Sequence, residues 1–152
     1  RYDPLNYLPD AALREKVAAL SWPDRCAAAE LICGNLKVHI CYLVRAGAPR
    51  DIPLQPQSQT VIPVLNNVSA EALAKRLKGA PALSLDFDGA KIRLPLPKQA
   101  AEIIAQVNGE RGLAEIRHGL GKSGRKLSRA AFAGQFDRLY KALNGINAML
   151  LR

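Results

Sequence analysis

Apolar residues along this chain change period repeatedly, from helical steps of three and four to strict alternation and back. Leu13, Val17 and Leu20 follow Pro9-Asp10 at steps of four and three, which predicts a helix with Asp10 as its cap. "SWPD" (21–24) resets the chain. An Ala-rich helix is expected over 25–33, with Asp24 as cap and Gly34-Asn35 as stop. In "LKVHICYLVRAG" (36–47), Val38, Ile40, Tyr42 and Val44 alternate on one face of a strand. Residues 48–60 hold three prolines and three glutamines and read as a loop or linker. "VIPVL" (61–65) predicts a short strand that Pro63 keeps at an edge. Ser69 then caps a helix with Leu73 and Leu77 four apart, ending at Gly79.

The clearest local signal is "LSLDFDGAKIRLPLP". Leu83, Leu85 and Phe87 lead into Asp88-Gly89, and Ile92, Leu94 and Leu96 return from it, which predicts a tight hairpin. Pro95 and Pro97 end the second strand at an edge. Three helices follow. The first carries Ile103, Ile104 and Val107 and ends at Asn108-Gly109. The second is short, with Leu113, Ile116 and Leu120. The third is capped by Ser128, carries Phe132, Phe136, Leu139, Tyr140 and Leu143, and stops at Asn144-Gly145. "INAMLLR" (146–152) is left to pair as a strand. The expected class is α+β: N-terminal helices with a short strand, a β-hairpin, then a three-helix, winged-helix-like C-terminal unit. The expected organisation is 1–47, a linker at 48–60, and 61–152.

Composition narrows the function. At 152 residues the chain fits one domain or two small ones, and 49% hydrophobic with 5% aromatic residues implies an aliphatic core rather than a stacking surface. No apolar run approaches the ~20 residues of a membrane span, so no membrane partner is expected. "RYDPLNYLPD" lacks a secretory pattern, and a chain opening on Arg1 reads as a piece of a longer protein. Cys26, Cys33 and Cys41 form no C-x-x-C pair and have only His39 nearby. They read as reduced thiols of a cytoplasmic protein. The net charge is +9, and residues 98–152 hold ten basic and four acidic side chains of it. That excess fits nucleic acid, an acidic partner domain or solubility.

"HGLGKSGRK" (118–126) ends as a phosphate-binding P-loop does, but Ile116 stands where its first glycine belongs. A helical pattern, not a strand, precedes it. It reads as the exposed connection before the third helix, with Arg117, Lys122, Arg125, Lys126 and Arg129 as candidate polyanion contacts. His39 and His118 are the only histidines and read as structural. Asp86 and Asp88 share a strand face, Asp88 serving the turn. Neither a nucleophile–base set nor a metal set is legible, and no catalytic residue is assigned.

The stretch "PLNYLPDAALREKVAALSWPDRCAAAELICGNLKVHICYLVR" resembles the region that follows the catalytic domain in some bacterial class I S-adenosylmethionine-dependent methyltransferases, and leads into their appended regulatory domain. The matching residues are Asp24, Arg25, Ala29, Glu30, Leu31, Lys37, His39 and Tyr42. Downstream, Gly109, Arg111, Leu113, Glu115 and Ile116 are similar to a "G-x-R-x-L-x-E-I" phrase in the winged-helix-like ending of such proteins. The glycine-rich cofactor-binding half of that family is missing from these residues. The resemblance therefore implies a non-catalytic accessory domain that covers the active site or recruits substrate. Asp24, Arg25, Glu30, Lys37, His39 and Tyr42 become its candidate contacts. The implied partner is the catalytic domain of the same chain, and S-adenosylmethionine is the cofactor of that parent alone.

The alternative is a winged-helix DNA-binding module. Arg129, Gln135, Arg138 and Lys141 would then read bases, on a face diluted by Ala130, Ala133, Gly134 and Ala142. Nucleic acid is not favoured.

Overall fold

A computed structural model of the chain describes residues 4–6, 8, 10–34, 45, 56, 58–87, 90–122, 124 and 126–152. All but Arg45 of the strand expected over 36–47 lies outside these residues, as do the Asp88-Gly89 turn and most of the 48–60 linker. Two compact units form: Arg1–Pro53 with Ser84–Arg93, and Leu54–Leu83 with Leu94–Arg152. The elements are helices and small antiparallel ladders, the α+β class expected.

In the first unit a 3-10 turn, Pro4–Asn6, precedes helices α1 (Ala11–Ala18) and α2 (Trp22–Cys33). Asp10 caps α1 by accepting the Leu13 amide at 2.7 Å. The Leu13–Val17–Leu20 stripe does not hold: Val17 is buried, whereas Leu13 and Leu20 are exposed. α1 stops at Ala18, so Leu20 has left its helical face. The cap of α2 also differs from expectation. Ser21 takes that position, its hydroxyl accepting the Asp24 amide at 3.3 Å and donating to the Asp24 carboxylate at 2.5 Å. Asp24 thus steadies the Ser21 cap through its carboxylate, and the helix starts three residues earlier than expected. Pro23 fits this first turn because no intrahelical amide is needed there. Gly34 ends α2 at φ +64°.

In the second unit β1 is Pro63–Leu65 and α3 is Ala70–Leu77. The hairpin strands β2 (Ala82–Phe87) and β3 (Ala90–Pro95) pair with each other, and the division between units runs through them. Then come α4 (Ala100–Ala105), α5 (Leu113–Lys122), α6 (Arg129–Asn144) and β4 (Met149–Leu151). α4 packs on α3, α5 and α6. Being covered on several sides, it buries the adjacent Ile103 and Ile104 together, although neighbours on a helix point about 100° apart. Leu73 and Leu77 of α3, Leu113, Ile116 and Leu120 of α5, and Phe132, Phe136, Leu139 and Leu143 of α6 complete the core. Each such side chain stabilises the fold by about 1.5–3 kcal/mol through burial.

The terminal strand finds its partner in β1. Pro63 stands opposite Leu151, Val64 opposite Leu150 and Leu65 opposite Met149, antiparallel. Ile62 and Arg152 exchange amide bonds at 2.8 and 3.0 Å, and the Asn66 amide reaches Ala148 at 3.0 Å. The bonded positions of β1 are therefore the even ones, and the amide that Pro63 lacks would have pointed away from β4. One helix end departs from expectation, and another meets it with an unexpected backbone. α4 closes at Ala105, leaving Val107 buried in the following turn. α6 ends at Asn144-Gly145 as expected, but Gly145 keeps a right-handed φ of −57°, and the left-handed residue is Asn147 at φ +57°. There the Ala148 amide returns to the Leu143 carbonyl at 2.8 Å, which releases the chain into β4.

Candidate functional site

The phrase Gly109, Arg111, Leu113, Glu115, Ile116 folds into one turn, and each residue has a distinct task in it. Asn108 Oδ1 accepts the amides of Glu110 and Arg111, both at 3.0 Å, while Gly109 adopts φ +78°. Arg111 donates to Gln106 Oε1 at 3.0 Å. Glu115 reaches back to the Gly112 amide at 2.8 Å, closing the capping arrangement of α5. Leu113 and Ile116 are the first buried residues of that helix. The next amides are met by the chain before β1: Leu113 donates to the Val61 carbonyl and Ala114 to the Gln59 carbonyl, each at 3.3 Å.

Gly119 belongs to the same network. A Cβ there would stand 2.6 Å from Gln106 Oε1, the acceptor that holds Arg111. Gly119→Ala is expected to leave stability nearly unchanged, because a helix-propensity gain of about 1 kcal/mol is offset by the lost Gln106–Arg111 bond. In a Gln106→Ala background the same change should stabilise by about 0.5–1 kcal/mol. A double-mutant cycle in urea measures this, and strict additivity would refute the clash.

α5 continues through Gly121 to Lys122, further than the sequence reading allowed, because Leu120 is buried and carries the helix on. Its end, with Lys126 and Leu127, borders an open recess of about 340 Å³ lined by Arg117, His118, Gly121, Lys122, Lys126 and Leu127. Three of the five candidate polyanion contacts thus share one recess. Arg129 is exposed in the first turn of α6, and Arg125 lies outside the described residues. The Arg117 Nε–H is shielded from solvent, and no acceptor meets it. A donor left so costs about 1–3 kcal/mol. Gly121 and Leu127 carry no charge, and periodicity gave no signal that they would line a recess.

On the outer face of α6, three of the four candidate base-reading residues make contacts within the fold. Gln135 is turned to α4, accepting the Gln99 amide at 3.1 Å and donating to Gln99 Oε1 at 2.9 Å. Arg138 donates to the Gly134 carbonyl of its own helix at 3.2 Å, and Lys141 pairs with Asp137 at 2.8 Å.

In the first unit, Arg25 donates to the carbonyls of Ala18 at 3.0 Å and Leu20 at 3.4 Å, binding the end of α1 to α2. Asp24 is occupied by Ser21. Ala29 is buried, Glu30 is exposed, and Cys26 is half-buried and in no disulfide. Lys37, His39 and Tyr42 lie outside the described residues, so any meeting with Glu30 does too. Trp22 (58%), Leu31 (86%) and Ile32 (43%) of α2 are exposed to solvent. Among the described residues no cluster of His, Cys, Asp and Glu could hold a metal, and no helix is long and apolar enough to cross a membrane.

Comparison of the chain with protein-family models, with curated proteins and with solved structures finds no match.

Proposed function

We propose that this chain is a non-catalytic accessory or regulatory domain of a bacterial, cytoplasmic S-adenosylmethionine-dependent methyltransferase. It covers the active site or recruits substrate, and its partner is the catalytic domain of its own chain. The observation that carries this reading is the apolar surface of α2. Leu31 and Ile32, adjacent near its C-terminal end, stand in water on a helix whose Ala29 is buried, as does Trp22 at its start, and large apolar side chains left exposed in this way suit a docking face. Leu31 belongs to the very stretch that resembles the junction after a methyltransferase catalytic domain. The turn at 108–116 adds support, since the geometry demands the residue types of the resembling phrase.

Calorimetry with S-adenosylmethionine tests the division of labour. The 152-residue chain is expected to give no saturable heat at millimolar cofactor, because cofactor binding belongs to the partner domain. One-to-one binding at micromolar affinity overturns the proposal. Peptide mapping of the natural protein tests the partner. A glycine-rich strand–turn–helix is expected before Arg1, and a natural chain beginning at Arg1 would refute the reading.

A further inference from the structure

We propose that the recess at the C-terminal end of α5 is a binding site for a small phosphomonoester. Arg117, Lys122 and Lys126 line it together with His118, and no acidic residue is among the lining. None of these three cations enters an ion pair among the described residues, whereas Lys141, on the neighbouring helix, is paired with Asp137. Three like charges held around one recess repel each other, and an anion between them relieves that repulsion. Among the described residues no protein acceptor meets the Arg117 guanidinium, and its nitrogens other than the solvent-shielded Nε are left to donate to an oxyanion. The C-terminal end of α5 favours the cation of Lys122 but not a bound anion. Attraction must therefore come from the side chains, which makes the site testable by their removal.

The shape selects a compact ligand over a polymer. A volume of about 340 Å³ lies at the lower end of small-molecule pockets, larger than a lone phosphate requires. Leu127 and Gly121 offer an uncharged wall against which an organic group can lie. Beyond Arg129 in its first turn, α6 does not continue the positive surface with free cations, since Arg138 donates to its own helix and Lys141 pairs with Asp137. A nucleic-acid strand would need that continuation.

Titration of the 152-residue chain with phenyl phosphate and with inorganic phosphate, at ionic strength fixed with sodium chloride and followed by amide chemical shifts, tests the site. Phenyl phosphate is expected to saturate one site with a dissociation constant of about 1 mM or below, and to bind more tightly than inorganic phosphate. Arg117→Gln and Lys122→Gln should each weaken it by about tenfold, the loss of one charge-assisted bond, while Lys141→Gln leaves it unchanged. Lys122 is exposed, so its variant keeps the test open if Arg117→Gln fails to fold. Shifts that never saturate, site variants that bind as the parent does, a preference for inorganic phosphate, or binding confined to heparin and duplex DNA each overturn the proposal.

Discussion

Phe136→Ala should lower the unfolding free energy by about 3–5 kcal/mol, the range for deleting a fully buried aromatic ring. Phe136 is 0% exposed and stands at the centre of the α6 stripe, with the Phe132 ring 6.1 Å away and the Tyr140 ring 6.4 Å away. Both neighbours are stacked, so the substitution removes two aromatic contacts, each worth about 0.5–1.5 kcal/mol, besides opening a cavity. Burial already raises the Tyr140 hydroxyl pKa above 10.0, and the change would admit water beside it. A typical domain holds only about 5–15 kcal/mol in reserve, so the variant should lose much of its margin. Lys141→Ala, on the exposed side of the same helix, is the control. It removes an i,i+4 ion pair and should cost about 0.2–0.5 kcal/mol. Guanidinium denaturation followed by helical circular dichroism measures both. Equal losses in the two variants would show that the α6 stripe is not the core.

Affinity for duplex DNA should fall by about a hundredfold between 50 and 200 mM salt, without sequence preference. Arg117, Lys122, Lys126 and Arg129 are the candidate phosphate contacts among the described residues. A log–log slope of about −0.9 for each gives that loss. Selectivity is not expected, because Gln135, Arg138 and Lys141 are engaged within the fold, and Arg129 is left among Ala130, Ala133, Gly134 and Ala142. A gel-shift titration against random duplex and heparin reads the slope. Sequence-selective retention at 200 mM salt would instead identify a DNA-reading helix.

The local code of this chain was legible where a helix start or a core stripe depends on neighbours in sequence. Asp10, Ser69 and Ser128 cap their helices as read, each accepting an amide three residues on. Leu73 with Leu77, and Phe132, Phe136, Leu139 and Leu143, are buried on the faces their spacing assigned. The hairpin strands on either side of Asp88-Gly89 are also present. Boundaries were less legible when two residues could do the same work. Ser21 and Asp24 are both good caps, and reciprocal bonding let Ser21 take the outer position. α6 stops at Asn144-Gly145 as read, but the left-handed turn falls to Asn147, where the bond from Ala148 to Leu143 returns the chain.

The candidate recess shows the same divide. The sequence alone determined that Arg117, Lys122 and Lys126 stand close together in a basic stretch, since residues within one turn and a loop cannot separate far. It also determined the α+β class, because the period of the apolar positions is a property of the chain. Tertiary structure decided the rest. That Leu120 is buried carries α5 to Lys122 and turns a supposed exposed loop into the wall of an open recess. Residue 151 meets residue 63, Gln135 meets Gln99 and Gly119 lies against Gln106 only because packing brings them together. Periodicity records which face of an element is apolar. It carries no information about which distant polar group that face will meet, and bonds between remote parts of the chain are fixed only when the core closes.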